Sequence, residues 1–322
     1  MMMRPLFRVL SPAGARARLS ILIFHRVLPV ADPLFPEEIH AAQFDALCGW
    51  LKRWFHVMAL DQAAGQLAEG TLPERALCIT FDDGYADNHD VAMPILQRHG
   101  LCATFFVATG FLDGGRMWND SLVELIRRAP KEQLDLKGLD LPLAEQGDGS
   151  LDLHSIPLRR QAINALIGAI KYRPLAERVQ LGEQLAARAE VRLPNDLMMA
   201  SSQVLGLRQG GMQIGAHTVS HPILATMDRE SQRAEILVGK QRLEQVLDEA
   251  VTLFAYPNGK PGQDYNAVSV ELTRELGFKA AVSTSWGAAR RGTDLLELPR
   301  FTPWDRKQLP FAARMAHNLW TR

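Results

Sequence analysis

Short apolar runs alternate along the chain with segments whose hydrophobic residues recur at helical spacing. The apolar runs have the length and the β-branched or aromatic content of buried strands. They cover residues 19–24, 76–81, 102–109, 212–216, 252–256, 279–284 and 296–301. Helical patterns lie between them, at residues 42–55, 89–100, 228–250 and 266–278. Strand–helix alternation over this length predicts a parallel α/β sheet, open or closed.

One region, residues 113–201, interrupts this alternation. Its first half contains two segments that alternate apolar and polar residues and predict a small β-hairpin, LDLKGLDLPL and GSLDLHS. After Pro157 the pattern is helical. We interpret the region as a mainly helical insertion in a single barrel domain of residues 19–322, which follows an N-terminal arm of residues 1–18. Barrel insertions gather on the loops around the active site, which predicts a role in substrate access; a packing appendage is the alternative.

Composition narrows the class of protein. The 322 residues are 47% hydrophobic and 22% charged, which suits a globular protein with one large α/β barrel or two modest domains. The 36 basic residues balance 36 acidic ones, so the basic excess typical of nucleic-acid-binding proteins is missing and no nucleic-acid partner is expected. Cys48, Cys78 and Cys102 are widely spaced in apolar surroundings, which predicts free thiols in a reducing compartment.

The N-terminal segment is basic but lacks the long apolar core of a signal peptide. Its longest apolar run is LSILIF, and the chain contains nothing near the roughly 18 apolar residues of a transmembrane helix. We therefore expect a cytoplasmic protein without a membrane span. The arginines Arg4, Arg8, Arg16 and Arg18 leave a peripheral contact with an anionic membrane surface open, and a solvated arm is the favoured interpretation. The sequence does not determine the oligomeric state.

Chemically active side chains follow two of the predicted strands. Asp82 and Asp83 come directly after the run ALCITF, and Gly84 follows them. His217 and His221 follow another strand, in the segment IGAHTVSHP, four residues apart. At that spacing two imidazoles can face the same way, on a helical turn or across a tight loop. Two histidines and one carboxylate are a common ligand set for a catalytic zinc ion.

Two further strands end in residues of the same kind. His25 follows LSILIF, while Pro257, Asn258 and Gly259 follow the run TLFAY. Taken singly, each motif has a structural explanation as a turn or a buried histidine. Because the carboxyl ends of parallel strands converge in α/β proteins, we expect all of them to meet in one site. There the Asn258 N–H is a candidate donor for an oxyanion.

Three motifs in this order, TFDDG, HTVSH and YPNG, resemble those of the polysaccharide deacetylases of the NodB-homology group, carbohydrate esterase family four. The resemblance extends from about Leu19 to Arg300, except for the insertion. The segments ILIFHRV and RMWND are similar to a branch that acts on cell-surface glycans. The resemblance implies a distorted (β/α) barrel of the polysaccharide deacetylase type and a metal-dependent N-deacetylase activity.

The resemblance also implies roles for individual residues. Asp83, His217 and His221 match the metal ligands, and Asp82 matches the catalytic base, which accepts a proton from the attacking water. Zn²⁺ is the expected cofactor, and another divalent transition metal would fit the same ligands.

Two positions depart from the family pattern. Many members carry an arginine two residues before the proline of the third motif, where this chain has Ala255. We therefore expect Asp82 to lack its usual orienting partner. The usual Leu-His near the C-terminus is absent as well, because His317 lies in a predicted surface helix. His25, at a strand end, is therefore the candidate acid for the leaving amine, with a buried structural histidine as the alternative.

Several residues near the motifs have two interpretations. Tyr85 is a candidate for lining the pocket, and Asp87 is expected to cap the helix that begins near Asn88. Trp118 either lines a sugar groove or anchors the insertion. The same two interpretations apply to tryptophans that follow later strands, Trp286 and Trp304.

Together these observations predict an enzyme that removes N-acetyl groups from an amino sugar. The expected substrate is an N-acetylated glycan or glycolipid, in a cell-surface polysaccharide or its lipid-linked precursor. An amidase with a non-sugar substrate is one alternative, since similar folds and sites accept several acyl amides. The other is a barrel that binds metal, has lost catalysis and serves as a glycan-binding module.

Overall fold

The structure, a computed structural model, describes residues 3–145 and 147–320 and divides them into two compact units. Unit 1 contains residues 3–30, 37–113 and 198–320, and unit 2 contains residues 31–36 and 114–197. Residues 1 and 2 of the predicted arm and residue 146 of the predicted insertion lie outside the described residues.

The strands and helices follow the predicted alternation. The strands are β1 (Arg18–Phe24), β2 (His56–Val57), β3 (Ala76–Phe81), β4 (Thr104–Val107), β5 (Gln133–Asp135), β6 (Ser150–Asp152), β7 (Gln213–Ala216), β8 (Leu253–Ala255), β9 (Ala280–Val282) and β10 (Ala289–Arg290). The α-helices are α1 (Met3–Leu10), α2 (Ala41–Trp54), α3 (Leu60–Glu69), α4 (Met93–His99), α5 (Trp118–Arg128), α6 (Ile156–Ile170), α7 (Leu175–Arg188), α8 (Ser201–Gln209), α9 (Arg229–Leu247), α10 (Ala267–Glu275) and α11 (Gln308–Trp320).

Unit 1 is built on a curled, mainly parallel sheet. Its strand order is β10-β1-β3-β4-β7-β8-β9, with β2 beside β3. In this sheet the neighbouring strands β1, β3, β4, β7, β8 and β9 pair in parallel, and β10 runs antiparallel to β1. Parallel strands connected by helices confirm the predicted α/β barrel class.

A segment without regular strand structure, residues 298–301, joins the two sides of this curled sheet. Leu298 pairs in parallel with Val282 of β9, and Phe301 pairs in parallel with Leu22 of β1. The backbone N–H of each of these two paired residues donates a hydrogen bond to the neighbouring strand, at 2.9 and 3.1 Å. Backbone hydrogen bonds therefore continue from β9 through this segment to β1 and close the barrel.

Several predicted boundaries need correction. The predicted strand 296–301 is wrong in part, because Leu295–Glu297 form a 3-10 helix and the chain becomes sheet-like only after it. The predicted helix 89–100 is divided, since a π-helix, Asn88–Ala92, precedes α4. Part of the predicted arm is the helix α1, whose Phe7 is fully buried against the aromatic rings of Trp54 and Phe55.

Strand β3 shows how the barrel directs its side chains. All six residues of β3 are buried. Leu77 and Phe81 join the larger core cluster, which includes the helices around the sheet. Cys78 joins a second cluster with residues of β1, β4, β8 and β9 on the inner face. Because side chains alternate along a strand, Thr80 shares the inner face with Cys78, and Asp82 follows on the same side.

Unit 2 has a hydrophobic core of its own. It is formed by α5, α6, α7 and the antiparallel pair β5–β6, around fully buried leucines such as Leu125, Leu166 and Leu185. The small hairpin and the helical pattern predicted for the insertion are both observed here. Among the residues described in both units, no helix is long and apolar enough to cross a lipid bilayer.

Candidate metal and catalytic site

The end of β3 places Asp82 and Asp83 at the carboxyl edge of the barrel. The Asp82 N–H donates a hydrogen bond to the Phe24 carbonyl of β1 at 2.9 Å. Asp83 then adopts a left-handed φ of 78° and Gly84 a φ of 92°, which turn the chain out of the sheet. A left-handed non-glycine residue costs about 1–3 kcal/mol and is concentrated at functional sites. At Gly84 even a Cβ would approach the Val107 side chain to 3.0 Å.

The three predicted metal ligands, Asp83, His217 and His221, come together in unit 1. Asp83 Oδ1 lies 3.4 Å from His217 Nε2 and 3.5 Å from His221 Nε2. The three ligand atoms all lie within 4.8 Å of one another. Asp83 Oδ1 is buried and has no hydrogen-bond partner within the part of the chain that the structure describes. A buried carboxylate oxygen that faces two imidazole nitrogens fits a divalent transition-metal ion.

A backbone carbonyl fixes the orientation of His217. Its Nδ1 lies 2.8 Å from the carbonyl oxygen of Ala255 on β8, and the ring is almost fully buried. A carbonyl can only accept, so Nδ1 carries the proton and Nε2 is left as the ligand atom toward Asp83. Hydrogen bonding of the second ring nitrogen is the usual way in which proteins orient a metal-binding histidine.

The loop between the two histidines turns sharply rather than forming a helix. Thr218 and His221 have left-handed φ values of 66° and 54°. The Thr218 hydroxyl accepts the His221 N–H at 3.1 Å, and the Val219 carbonyl accepts the Gly110 N–H at 2.8 Å. The turn brings the two imidazole centroids to 4.8 Å from each other. The spacing of four residues therefore acts across a tight loop, one of the two possibilities predicted.

The pKa values of Asp83 and His221 favour metal ligation, whereas the raised pKa of His217 favours a protonated ring, which must lose its proton to bind a metal. Burial raises the pKa of Asp83, but contact with His217 and the charges of His221 and His25 outweigh it and hold the pKa well below its usual range. Burial lowers the pKa of His221 to about 4, which keeps this imidazole neutral near pH 7. Burial also lowers the pKa of His217, but Asp83 and Asp82 outweigh it and raise the pKa above its ordinary value. A carboxylate and neutral imidazoles are the protonation states that bind metals.

Arg300 is the partner of the predicted base, Asp82. Its Nη1 and Nη2 donate to Asp82 Oδ1 and Oδ2, both at 2.7 Å. Arg300 is fully buried, and its Nε and Nη1 also donate to the Ser283 carbonyl and the Thr80 hydroxyl at 3.0 Å. Burial raises the pKa of Asp82, but the charges of Arg300 and His217 outweigh it and lower the pKa. The result is an ionised carboxylate in a fixed orientation.

The usual orienting arginine is missing as expected, but Asp82 is oriented by a different arginine. Ala255 does stand where many family members carry the arginine, but Arg300 reaches the same carboxylate from the segment that closes the barrel. One sequence signal pointed to Arg300: it lies within a run predicted to be a buried strand. Arginine is rarely fully buried without a partner, so its position implied a buried carboxylate nearby.

His25 lies beside Asp82 at the edge of the barrel. Phe24 pairs with Phe81, so the residues that follow them leave the sheet side by side. His25 is exposed, which contradicts the alternative of a buried structural histidine. Its charge contributes to the lowered pKa of both Asp82 and Asp83. His25 therefore has the access and the proximity that proton transfer to a substrate requires.

The chain around His25 is fixed by the segment that follows the two acids. Asp87 accepts the Val27 N–H at 3.1 Å and the Arg26 Nε–H at 2.7 Å, so the prediction that it caps a helix is wrong. Asn88 donates to the His25 carbonyl at 2.9 Å. Tyr85 is buried, with the Arg26 guanidinium 4.7 Å from its ring centroid. Tyr85 therefore packs beside the chain that follows His25, and its role in lining the pocket stays a prediction.

Pro257 and Asn258 form the loop that follows β8. Asn258 is exposed and has a left-handed φ of 59°, while Pro257 is buried. The Asn258 carbonyl accepts the Thr284 hydroxyl at 3.0 Å. At Gly259 a Cβ would lie 2.9 Å from the Thr284 backbone nitrogen, so glycine is required for this close approach. The loop therefore holds Asn258 outward in a fixed turn.

Trp118, unlike the other predicted site residues, belongs to unit 2. It is half-buried at the start of α5 and packs against the hydrophobic core of that unit. The Arg178 guanidinium lies 5.0 Å from its ring centroid. These contacts agree with the anchoring interpretation of Trp118.

A protein of similar sequence and several solved structures resemble this chain. YxkH of Bacillus subtilis (strain 168), a polysaccharide deacetylase by provisional assignment, is 21% identical over 286 residues, or 88% of this chain and 71% of that protein. The Streptococcus pyogenes deacetylase PplD, solved in complex with acetate, has a TM-score of 0.60 at 20% identity and covers 95% of this chain and 99% of its own. IcaB from Ammonifex degensii has a TM-score of 0.58 at 17% identity, and the match covers 97% of this chain and 99% of IcaB. A de-N-acetylase from Aggregatibacter actinomycetemcomitans has a TM-score of 0.58 at 16% identity, and the match covers 93% of this chain and 99% of that enzyme. These likenesses establish the barrel fold.

The family itself is established by sequence. The model of the polysaccharide deacetylase family matches residues 69–173 and 185–281, which together are more than half of the chain. The matched residues include the TFDDG, HTVSH and YPNG motifs, and the Asp83, His217 and His221 side chains of the first two motifs meet at the carboxyl edge of the barrel. This protein is therefore a member of the polysaccharide deacetylase family, which hydrolyses the amide bonds of N-acetyl groups.

Proposed function

We propose that this chain is a Zn²⁺-dependent enzyme that removes N-acetyl groups from an amino sugar in a cell-surface polysaccharide or its lipid-linked precursor. The proposal depends on one observation above all. The donor set of Asp83, His217 and His221 lies directly beside Asp82, whose carboxylate is held by Arg300. A module that only binds glycans has no need of such a buried, oriented base. The arrangement therefore supports hydrolysis over binding alone.

Asp83, His217 and His221 would hold the divalent ion, which supplies Lewis-acid stabilisation of negative charge at the amide oxygen. Asp82 accepts the proton of the water that attacks the acetamide carbon. Each carboxylate oxygen of Asp82 has a second lone pair besides the one that Arg300 uses, so the base remains able to accept a proton. Arg300 keeps this carboxylate ionised and aimed.

Two residues at the edge of the barrel complete the proposed reaction. His25 donates a proton to the amine nitrogen as the carbon–nitrogen bond breaks, which releases acetate and a free amino group. The exposed Asn258 supplies its backbone N–H to the oxygen that becomes negative during the attack. These roles require His25 to be protonated and Asp82 to be ionised at the start of the reaction.

A small cleft beside His25 carries an exposed aromatic ring of the kind that stacks on sugar faces. It has a volume of about 80 Å³, and its lining includes His25, Arg26, Thr302 and Trp304. The Trp304 side chain is 61% exposed. An exposed aromatic ring among polar groups is typical of a ligand site. The acetate bound in the PplD structure and the de-N-acetylase among the structural relatives favour an acetamide. A cytoplasmic location and a peripheral membrane contact stay predictions.

Acetate release tests the proposed function. The substrates are N-acetylglucosamine oligomers and extracted lipid-linked glycan, each measured with and without a chelator. We expect wild-type protein to release acetate, to lose this activity to the chelator and to regain it with added zinc. Asp82→Asn should bind zinc but release acetate about 10²–10⁴-fold more slowly, the usual contribution of a general base.

Two outcomes would contradict the proposed function, in whole or in part. If both proteins bind zinc and wild type releases no acetate from any sugar or non-sugar amide, the chain is a binding module and the proposal fails. Release from non-sugar amides alone would leave the chemistry standing and refute the sugar substrate. Far-UV circular dichroism of Asp82→Asn is the control for folding.

A further inference from the structure

The loop that carries both histidine ligands is held by a carboxylate on α9. Glu235 Oε2 accepts the backbone N–H groups of Val219 and Ser220 at 2.9 and 2.8 Å. Glu235 Oε1 accepts the Ser220 hydroxyl at 2.7 Å. One side chain therefore satisfies three donors of the segment between His217 and His221. Hydrogen bonds to an ionised acceptor are about twice as strong as those between neutral groups.

The conformation of this loop requires external support. Thr218 and His221 both have left-handed φ values, each of which costs about 1–3 kcal/mol and persists only when neighbouring contacts enforce it. Helix α9 supplies a second such contact at Gly239. A Cβ there would lie 2.7 Å from the Thr218 carbonyl oxygen, so the helix and the loop backbone are packed in direct contact. Glu235 and Gly239 are one helical turn apart and face the same loop.

We propose that Glu235 is a positioning residue of the metal site. It contacts the loop backbone and Ser220 and acts on the metal ligands through them. Its carboxylate holds His217 and His221 in the geometry that converges with Asp83 before any ion binds. The inference rests on the proposed function to the extent that this donor set binds zinc.

The physical reason is preorganisation. Without Glu235 the Val219 and Ser220 N–H groups lose their acceptor, and the strained loop relaxes toward other conformations. Zinc then binds only after the loop has been ordered again, so part of the binding free energy is used for that ordering. Replacement of groups that orient metal ligands typically weakens metal affinity about 10–100-fold.

The measurement is zinc affinity, by competition with a chromophoric chelator at fixed pH. We expect Glu235→Ala to bind zinc about 10–100-fold more weakly than wild type. Glu235→Gln keeps an acceptor oxygen but loses the charge, so its affinity should lie between the two. Glu230→Ala removes an exposed carboxylate from the first turn of the same helix and is the matched control, with affinity within twofold of wild type.

Ser220→Ala keeps the proposal testable if Glu235→Ala does not fold. It removes the hydroxyl bond to Glu235 and leaves the two backbone N–H bonds, so a smaller, several-fold loss of zinc affinity is expected. A purely structural role would lower the stability of the zinc-free protein and leave the affinity of the folded fraction unchanged. The zinc-free melting temperature of each variant is therefore recorded beside its affinity.

The outcomes separate this inference from the proposed function. Zinc binding by Glu235→Ala and Ser220→Ala within twofold of wild type overturns the role of Glu235 and leaves the zinc-dependent deacetylase intact. Failure of the wild-type protein to bind zinc overturns both. The inference is supported if zinc affinity rises from Glu235→Ala through Glu235→Gln to wild type and Glu230→Ala binds zinc as wild type does.

Discussion

A single buried ion pair defines the orientation of the base in this site. Arg300 binds both oxygens of Asp82 and is itself held by Ser283 and Thr80, so the carboxylate has one orientation. Removal of one member of a buried pair leaves the other charge uncompensated, at a cost of about 3–5 kcal/mol. The same pair lowers the pKa of Asp82, and Arg300 thus links folding stability with the activity of the base.

Replacement of Arg300 tests this link. Arg300→Lys keeps the charge but loses the bidentate contact with Asp82. The Asp82 carboxylate is then less well oriented, so kcat should fall about 10²-fold. Arg300→Met also removes the charge that lowers the pKa of Asp82, so the acidic limb of the kcat/KM profile should move to higher pH. The free energy of unfolding in urea should fall by about 3–5 kcal/mol.

Arg274→Met is the control, because this arginine is exposed and its contact with Asp294 is a long surface pair of 3.5 Å. It should change the unfolding free energy by less than about 1 kcal/mol. An Arg300→Met protein with the wild-type pH profile and stability would refute the role assigned to the pair.

Two histidines provide a direct test of the proposed acid. His25 lies beside Asp82, whereas His317 is exposed on α11 in the region where the family usually carries its Leu-His. His25→Ala should lower kcat about 10²–10⁴-fold and leave zinc affinity unchanged, since His25 is outside the donor set. His317→Ala should stay within twofold of wild type. A His25→Ala rate within twofold would remove His25 from the mechanism.

At the scale of elements, strand ends supply the reactive residues, and a helix surface supports the loop that carries two of them. The strands β1, β3, β7 and β8 deliver the reactive residues to one edge of the barrel. Helix α9 contributes none of the reactive side chains, yet Glu235 and Gly239 on it determine the shape of the loop that carries both histidines. Such support explains how left-handed residues are tolerated. Four of the eight described non-glycine residues with positive φ lie in the three motif loops: Asp83, Thr218, His221 and Asn258.

The same substitution on two helices should have opposite effects on stability. Gly239→Ala on α9 forces a Cβ against the Thr218 carbonyl, and we expect the free energy of unfolding to fall by about 1–3 kcal/mol. Gly65→Ala on α3 meets no atom within 4 Å among the described residues and should raise it by about 0.5–1 kcal/mol. Urea denaturation measures both values. Equal effects of the two substitutions would show that the contact at Gly239 is not tight.

At the scale of the whole molecule, the donor set, the proposed acid and base, and Arg300 all belong to unit 1. The positions of most strands in this unit were predictable, because strands buried on both faces appear in the sequence as continuous apolar runs. The runs at residues 19–24 and 76–81 match β1 and β3 to within one residue. The boundaries failed where the local pattern is ambiguous, as at residues 296–301, where an apolar run contains a 3-10 helix.

The sequence by itself determined the strand–helix order, the family motifs and the residues that stand at strand ends, because each of these is a local pattern of a few neighbouring positions. Only the tertiary structure decided which arginine binds the base and what holds the ligand loop. Arg300 and Asp82 are 218 positions apart, and their contact exists only because residues 298–301 close the barrel between β9 and β1. Pairings of that range are set by packing and hydrogen bonding of the whole sheet, which no local pattern of residues encodes.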